Sequence, residues 1–276
     1  MIKFNIQVFK KSSLCRNFEN ETYKNVEKKI IKFPVYLSAG QEYIASTIAC
    51  VMSDMGVKPD IFVQHRCHST YLAFGGNILE LVHELLGKKT GCAYGMGGSA
   101  SIQCKKKKIY GHDGLMGSQV PIAVGSCFAS KKPTIVFVGD SAAEEDYVFS
   151  SLGWAVTKKL PILFIVEDNN LSILTEKKVR RSWEIHNVAK GFDLEAFNIS
   201  DDPVDIRKHL AKVFNSPLLL NINTNRKFWH AGAGSDGEVF DRYVFEKNKI
   251  GPKAIEIDNQ MKRKVKLIWK KQLEKL

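Results

Sequence analysis

The chain has 276 residues, of which 44% are hydrophobic, 10% aromatic and 25% charged. That is enough to bury the core of one α/β domain with appendages, and the composition excludes wholesale disorder. There is no apolar run of about twenty residues and no continuous apolar stretch in MIKFNIQVFKKSSLCRNF, so neither a membrane span nor a signal peptide is expected, and a cytoplasmic location is.

The net charge of +12 raises nucleic acid as a partner. The lysines, however, lie in short dispersed clusters (Lys105 to Lys108, Lys177 and Lys178, Lys262 to Lys275), without zinc-finger spacing or an aromatic-interleaved RNA motif. Solvated faces and attraction to anionic ligands or an acidic partner account for the excess, and no nucleic-acid or membrane partner is expected. The cysteines at 15, 50, 67, 92, 104 and 127 form no CxxC pair, which argues against a zinc site or a disulfide framework. Cys67, between Arg66 and His68, reads as a semi-buried thiol rather than a nucleophile.

In chain order, residues 1–36 are polar, lysine-rich and weakly periodic, and are expected to be an extension outside the core. A domain over 37–236 and a helical appendage over 237–276 would follow. SAGQEYIASTIACVMSDMG predicts a helix with Ser38 as N-cap and Gly56 as stop signal. IFVQ (61–64) predicts a short strand, and NILELVHELLGK a helix ending in Gly87, with His83 a satisfied helix histidine. A glycine-rich loop, GCAYGMGGSASIQ (91–103), precedes GHDGLMGSQVPIAVGSCFAS (111–130), which passes from a glycine turn into a helix of small residues. Small residues serve close helix packing or close approach of the backbone to a ligand.

TIVFVGD (134–140) and ILFIVEDNN (162–170) are apolar, β-branched runs of the kind buried on both faces of a sheet. The helix YVFSSLGWAVTKKL between them ends before Pro161, giving a βαβ unit with parallel, neighbouring strands. DDPVDIRKHLAKVF predicts a helix capped by Asp201 or Asp202 with Pro203 in its first turn, and PLLLNINTN (217–225) another buried strand. The tail AIEIDNQMKRKVKLIWKKQLEKL is a basic amphipathic helix, expected to dock on the domain rather than on a membrane surface. The fold class is therefore α/β, a parallel β-sheet flanked by helices.

Ligands of open parallel sheets bind at the carboxyl ends of the strands. Here those ends carry Asp140 on one strand and Asp168 with Asn169 on the other. Strands about 4.8 Å apart let Asp140 and Asn169 reach one cation together. Oxygen ligands few in number suit Mg²⁺, which completes its shell with phosphate oxygens and water. A helix opening after Gly139-Asp140 favours a phosphate. The plain alternative is that both are turn and cap residues. A nicotinamide-binding domain would need GxGxxG directly after its first strand, and none is present.

GDSAAEEDYVFSSLGWAVTKKLPILFIVEDNN resembles the thiamine diphosphate motif, Gly-Asp-Gly followed roughly thirty residues later by Asn-Asn. More narrowly it resembles the α subunits of E1 components of 2-oxo acid dehydrogenases. LSAGQEYIAS, HRCHSTYLAFGG, ELLGKKTGCAYGMGGSAS, GHDGLMGSQVPIAVG and TNRKFWHAG resemble further segments of that family, in family order over about residues 37–236. The resemblance implies a thiamine diphosphate-binding fold, with Asp140, Asn169 and the Leu171 carbonyl as Mg²⁺ ligands. Gly139 and the Ser141–Ala142 backbone would lie against the diphosphate, and Arg66 would pair with it. His65 stands where the family has Tyr, near the aminopyrimidine, which the backbone at Gly114 and Met116 would contact. His230 would stand near the diphosphate and the reacting carbon, for proton transfer or oxyanion stabilisation.

The departures are Ser141 for the third glycine, Asp168 for the first Asn, Met96 for a basic residue, and Ala100-Ser101 for Met-His. The segment after Thr175 is short and basic, and one of Arg180 or Arg181 is a candidate to reach phosphate. In enzymes of this type a glutamate from a second domain activates the cofactor. This chain has room for one such domain, so the glutamate is expected on a β subunit, in an α2β2 assembly acting on a 2-oxo acid and passing the acyl group to a lipoyl-bearing acyltransferase. A split transketolase-like or acyloin-forming acyltransferase is the nearest alternative activity, and a non-catalytic binding subunit an alternative of another class.

Overall fold

The computed structural model describes residues 2–112, 114–232 and 234–275. In chain order its elements are α1 (Ile2–Glu27), α2 (Glu42–Asp54), β1 (Asp60–Phe62), α3 (His68–Ala73), α4 (Ile78–Leu85), β2 (Ile109–Tyr110), α5 (Gln119–Ser130) and β3 (Thr134–Gly139). There follow α6 (Asp146–Thr157), β4 (Ile162–Asp168), β5 (Leu171–Ser172), β6 (Thr175–Glu176), α7 (Lys177–Arg180), α8 (Ile185–Gly191), β7 (Glu195–Ser200), α9 (Pro203–His209) and β8 (Leu218–Asn223). α10 (Arg242–Ile250) and α11 (Pro252–Leu273) end the chain.

Six strands form one parallel sheet in the order β2-β1-β3-β4-β8-β7, so all six point their carboxyl ends to one edge. β3 and β4 are neighbours in register from Thr134 against Ile162 to Gly139 against Glu167, as the βαβ reading requires. Alternation along the strands feeds two cores. Ile135 and Phe137 of β3, with Leu163 and Ile165 of β4, face one helical layer. Val136 and Val138, with Phe164 and Val166, face the other, formed with residues of α5, α6 and α8. The result is a helix–sheet–helix sandwich.

The reading of residues 1–36 as an extension is corrected by α1, whose Phe4, Val8, Phe9, Cys15 and Phe18 belong to the larger core. The apolar periodicity is weak because α1 also buries Ser12, Ser13, Arg16, Asn17, Glu19, Thr22 and Asn25. Partners offset part of the desolvation of its charges: Arg16 reaches Glu42 at 2.5 Å and Asp241 at 2.8 Å, and Glu19 reaches His68 at 3.0 Å. The helical appendage shares this core through Tyr243, Ala254, Ile257, Val265 and Trp269, so the basic tail docks on protein. Among the described residues no helix is long and apolar enough to cross a membrane.

Capping also differs in detail. Gln41, not Ser38, precedes α2, and the Ser38 hydroxyl bonds Glu19 at 2.5 Å instead. Asp202 is the cap of α9, accepting from the Val204 amide at 2.8 Å. His83 is satisfied at both ring nitrogens, by Gln272 at 2.9 Å and Thr90 at 2.8 Å.

Candidate functional site

Four adjacent strands, β1, β3, β4 and β8, deliver polar residues where their carboxyl ends leave the sheet. After β1 come Gln64, His65 and Arg66; after β3, Asp140; at the end of β4, Glu167, Asp168 and Asn169; after β8, Thr224 and Arg226. β3 ends in Gly139, and a Cβ there would lie 3.4 Å from Gln64 Oε1. Across that position Gln64 Nε2 donates a short hydrogen bond to Glu167.

Asp140 is buried and holds cations already. Arg180 donates to its Oδ2 at 2.7 Å, and Arg181 donates to its backbone carbonyl at 3.2 Å. Burial, then the neighbouring Asp168, pushes the Asp140 carboxyl up to about 6 despite Arg180. Both candidate arginines of the basic segment thus face the β3 end, and Arg181 stacks its guanidinium on Trp183, 4.6 Å from the ring centroid. Asp168 is a structural hub: it accepts from Lys177 at 2.8 Å, Asn221 at 3.0 Å and the Asn170 amide at 3.0 Å. Burial opposes its charge, and these donors hold it below the usual range. Asn169 is half-buried, with Oδ1 accepting from the Leu171 amide at 3.1 Å. Asp140 and Asn169 therefore lie at the ends of neighbouring strands, and Leu171 opens the short β5–β6 hairpin. Ser141 has φ −76° and ψ −36°, ordinary helical backbone, so the absence of the third glycine imposes no strain. Ala142 starts a single short helical turn beside it.

The second half of the site is cationic and aromatic. Arg66 is buried, donating from Nη1 to the Leu37 carbonyl at 2.8 Å and from Nη2 to His230 Nδ1 at 3.3 Å. Among the described residues no carboxylate pairs with it. Arg226, by contrast, is held by Asp236 at 2.5 Å and reaches the Ile173 carbonyl at 3.0 Å. His65 packs against Tyr36, His230 and His112, at ring-centroid distances of 4.8, 5.5 and 5.9 Å. Burial first, then Arg66, lowers His230 to about 4 and His65 to about 2, so both are neutral at pH 7. Because a guanidinium only donates, His230 Nδ1 is the acceptor and Nε2 carries the proton.

The loop of Gly114 and Met116 approaches through His112. Gly114 has φ +105° with open space where a Cβ would stand. The Met116 carbonyl accepts a short hydrogen bond from the Tyr147 hydroxyl, so that acceptor is already engaged. The glycine-rich loop is wrapped around a buried carboxylate. Glu84 accepts from the amides of Ala93, Gly95, Gly97 and Gly98 at 2.7, 2.9, 2.8 and 3.2 Å. Outward, that loop presents Tyr94 and Met96, 70% and 85% exposed. Cys67 is fully buried and its thiol is pushed far up by that burial, which leaves no nucleophile there.

Sequence reading did not single out Tyr36, Gln64, His112, Glu167 or Arg226. A polar residue two or three positions past a strand's carboxyl end was the available signal for Gln64 and Arg226. Tyr36 and His112 lie in loops that only the tertiary fold brings to the sheet edge.

A model of the dehydrogenase E1 component family matches residues 10–245. The mitochondrial pyruvate dehydrogenase E1 component subunit alpha-1 of Oryza sativa subsp. japonica is 28% identical over 235 residues, covering 81% of this chain and 59% of that protein. The mitochondrial alpha subunit of Chaetomium thermophilum is 32% identical over 219 residues, covering 74% of this chain and 51% of that protein. The alpha subunit of Rickettsia bellii is 29% identical over 242 residues, covering 82% and 72%. This chain thus spans little more than half the length of the first two relatives. In structure it is similar to the transketolase of Campylobacter jejuni, with a TM-score of 0.61 at 17% identity over 98% of this chain and 49% of that one, a likeness of fold. The family match runs from within α1 to within α10 and takes in all four strand ends that build the site, and on that ground the chain belongs to the dehydrogenase E1 component family.

Proposed function

We propose that this chain is the α subunit of a thiamine diphosphate- and Mg²⁺-dependent 2-oxo acid dehydrogenase. The observation that carries the reading is Arg66, a buried guanidinium without a carboxylate partner among the described residues, at the carboxyl edge of a parallel sheet. Burying a charge is costly unless a counter-ion arrives, so the position calls for an anionic ligand, and a planar guanidinium suits phosphate oxygens. The donor set fits a metal as well. Asp140 supplies a buried carboxylate that already takes a cation, the Arg180 guanidinium, and Asn169 supplies a neutral oxygen on the next strand.

When bound, the cofactor supplies a nucleophilic thiazolium carbon and an electron sink for decarboxylation. The chain's residues bind and orient it. Arg66 would meet the diphosphate, and Asp140, Asn169 and the Leu171 carbonyl would hold the metal. Gly139 and the backbone at Ser141 and Ala142 would lie along the phosphates. His65, with the backbone at Gly114 and Met116, would flank the aminopyrimidine. His230 is neutral, with Nε2–H free to donate to developing negative charge on a substrate oxygen. The relatives are by name alpha subunits of an E1 component, which supports a further subunit as partner. In the proposed assembly, an α2β2 one, that β subunit contributes the activating glutamate and a lipoyl-bearing protein accepts the acyl group.

Calorimetric titration of thiamine diphosphate, with and without Mg²⁺, tests the reading on the chain alone and mixed with a β subunit. Magnesium-dependent binding that tightens with the partner is the expected result. Absence of binding in every mixture would sink the cofactor assignment.

A further inference from the structure

Glu19 lies on α1, yet it is fully buried behind the site, where it joins the two segments that carry the anion-binding residues. Its Oε1 accepts from the Ser38 amide at 2.9 Å and the Ser38 hydroxyl at 2.5 Å. Its Oε2 accepts from His68 Nδ1 at 3.0 Å. The Ser38 hydroxyl in turn meets the Ser69 amide at 3.0 Å and the Ser69 hydroxyl at 2.6 Å. On its far side His68 Nε2 meets Ser99 Oγ at 3.0 Å, and Ser99 Oγ accepts from the Tyr36 amide at 2.9 Å.

The order Ser99, His68, Glu19 has the connectivity of a hydrolase triad. Nucleophilic chemistry is excluded by position: Ser99 is buried and its oxygen is engaged by the Tyr36 amide. What the chain of bonds does control is placement. One tethered segment is Tyr36-Leu37-Ser38: the Tyr36 ring packs on His65 and His230, and the Leu37 carbonyl receives Arg66. The other runs from His65 and Arg66 to His68 and Ser69. A third anchor secures the first segment, because the Lys227 amide donates to the Ala39 carbonyl at 2.9 Å. A Cβ on Gly40 would stand 2.2 Å from the Asn225 carbonyl oxygen, so only glycine permits that approach.

We propose that Glu19 is a positioning residue of the site, acting through Ser38 and His68 to set Tyr36, His65 and Arg66 for the anion. The inference rests on the cofactor reading for the identity of that anion, but not for the placement of the side chains. Every donor that Glu19 satisfies is buried, so losing one oxygen loosens one of the two tethered segments.

The test compares Glu19→Gln and Ser99→Ala with Val8→Ala, a core variant of the same helix that touches none of these groups. Two readouts are taken: ¹⁵N resonances of the histidine rings, and calorimetric affinity for thiamine diphosphate with Mg²⁺. Glu19→Gln and Ser99→Ala are expected to shift the His65 and His230 resonances and to weaken binding about tenfold. Val8→Ala, at a comparable loss of Tm, leaves both unchanged. Histidine resonances that stay at wild-type values in Glu19→Gln and Ser99→Ala, or that move equally in Val8→Ala, overturn the proposal. A wild-type chain that binds no thiamine diphosphate defeats the cofactor reading alone, since the histidine signals still decide the placement.

Discussion

In the proposed function Arg66 meets an anionic ligand and Asp140 the metal that accompanies it, one buried cation and one buried carboxylate at the same sheet edge. Hydrogen bonds to charged groups are worth about 1.5–3 kcal/mol, so Arg66→Ala should weaken inorganic pyrophosphate binding about 10- to 100-fold by calorimetry. Asp140→Ala should abolish the Mg²⁺ dependence of thiamine diphosphate binding, and an unchanged dependence would remove Asp140 from the metal site. His230 gives a prediction with a sign. Its folded value of about 4 lies below the ordinary 6.5, so the unfolded chain takes up the proton first as pH falls. The stability this residue contributes is present above pH 6.5 and is lost between 6.5 and 4. His230→Gln should therefore show a shallower fall of Tm across that window than wild type, and parallel curves would contradict the buried, neutral imidazole.

At the scale of elements, the loop over residues 91–101 owes its shape to one side chain. Glu84→Ala leaves four inward-facing amides without their acceptor, and we expect a loss of about 2 kcal/mol or more. Urea unfolding would measure it, and amide exchange should accelerate at Ala93, Gly95, Gly97 and Gly98 rather than across the sheet. The elements that sequence disclosed best were those with one dominant physical cause. β3, β4 and β8 are apolar runs buried on both faces, and α9 carries both an Asp cap and a Pro in its first turn. α1 escaped because its buried positions are filled by paired polar groups, which erase apolar periodicity. β7 escaped for a simpler reason: an edge strand with exposed Glu195, Asn198 and Ser200 offers half the apolar signal. Asp140 and Asn169 were marked as strand-end residues by the apolar runs that precede them, whereas Arg66 was singled out only through the resemblance of its segment to the family. Tyr36 and His112 arrive from distant chain positions, and no local pattern marks them.

For the whole molecule, the first and last helices are one structural unit. Trp269 of α11 is buried and lies 6.1 Å from the Phe18 ring of α1, while Asn17 and Tyr243 both bond Asp258, at 2.8 and 2.7 Å. Trp269→Ala should cost about 3–5 kcal/mol in urea unfolding, a typical penalty for emptying an aromatic core position. A loss under about 1 kcal/mol would show that α11 is dispensable to the core. The pairing has a further consequence during synthesis. α1 precedes the whole sheet in the chain, so its aromatic face waits until the sheet has been translated before α11 can cover it. Through that interval the nascent chain carries an exposed, partly charged helix, a ready substrate for a chaperone. If Glu19 positions the strand-end residues as proposed, their order is acquired only once α1 has packed into the core.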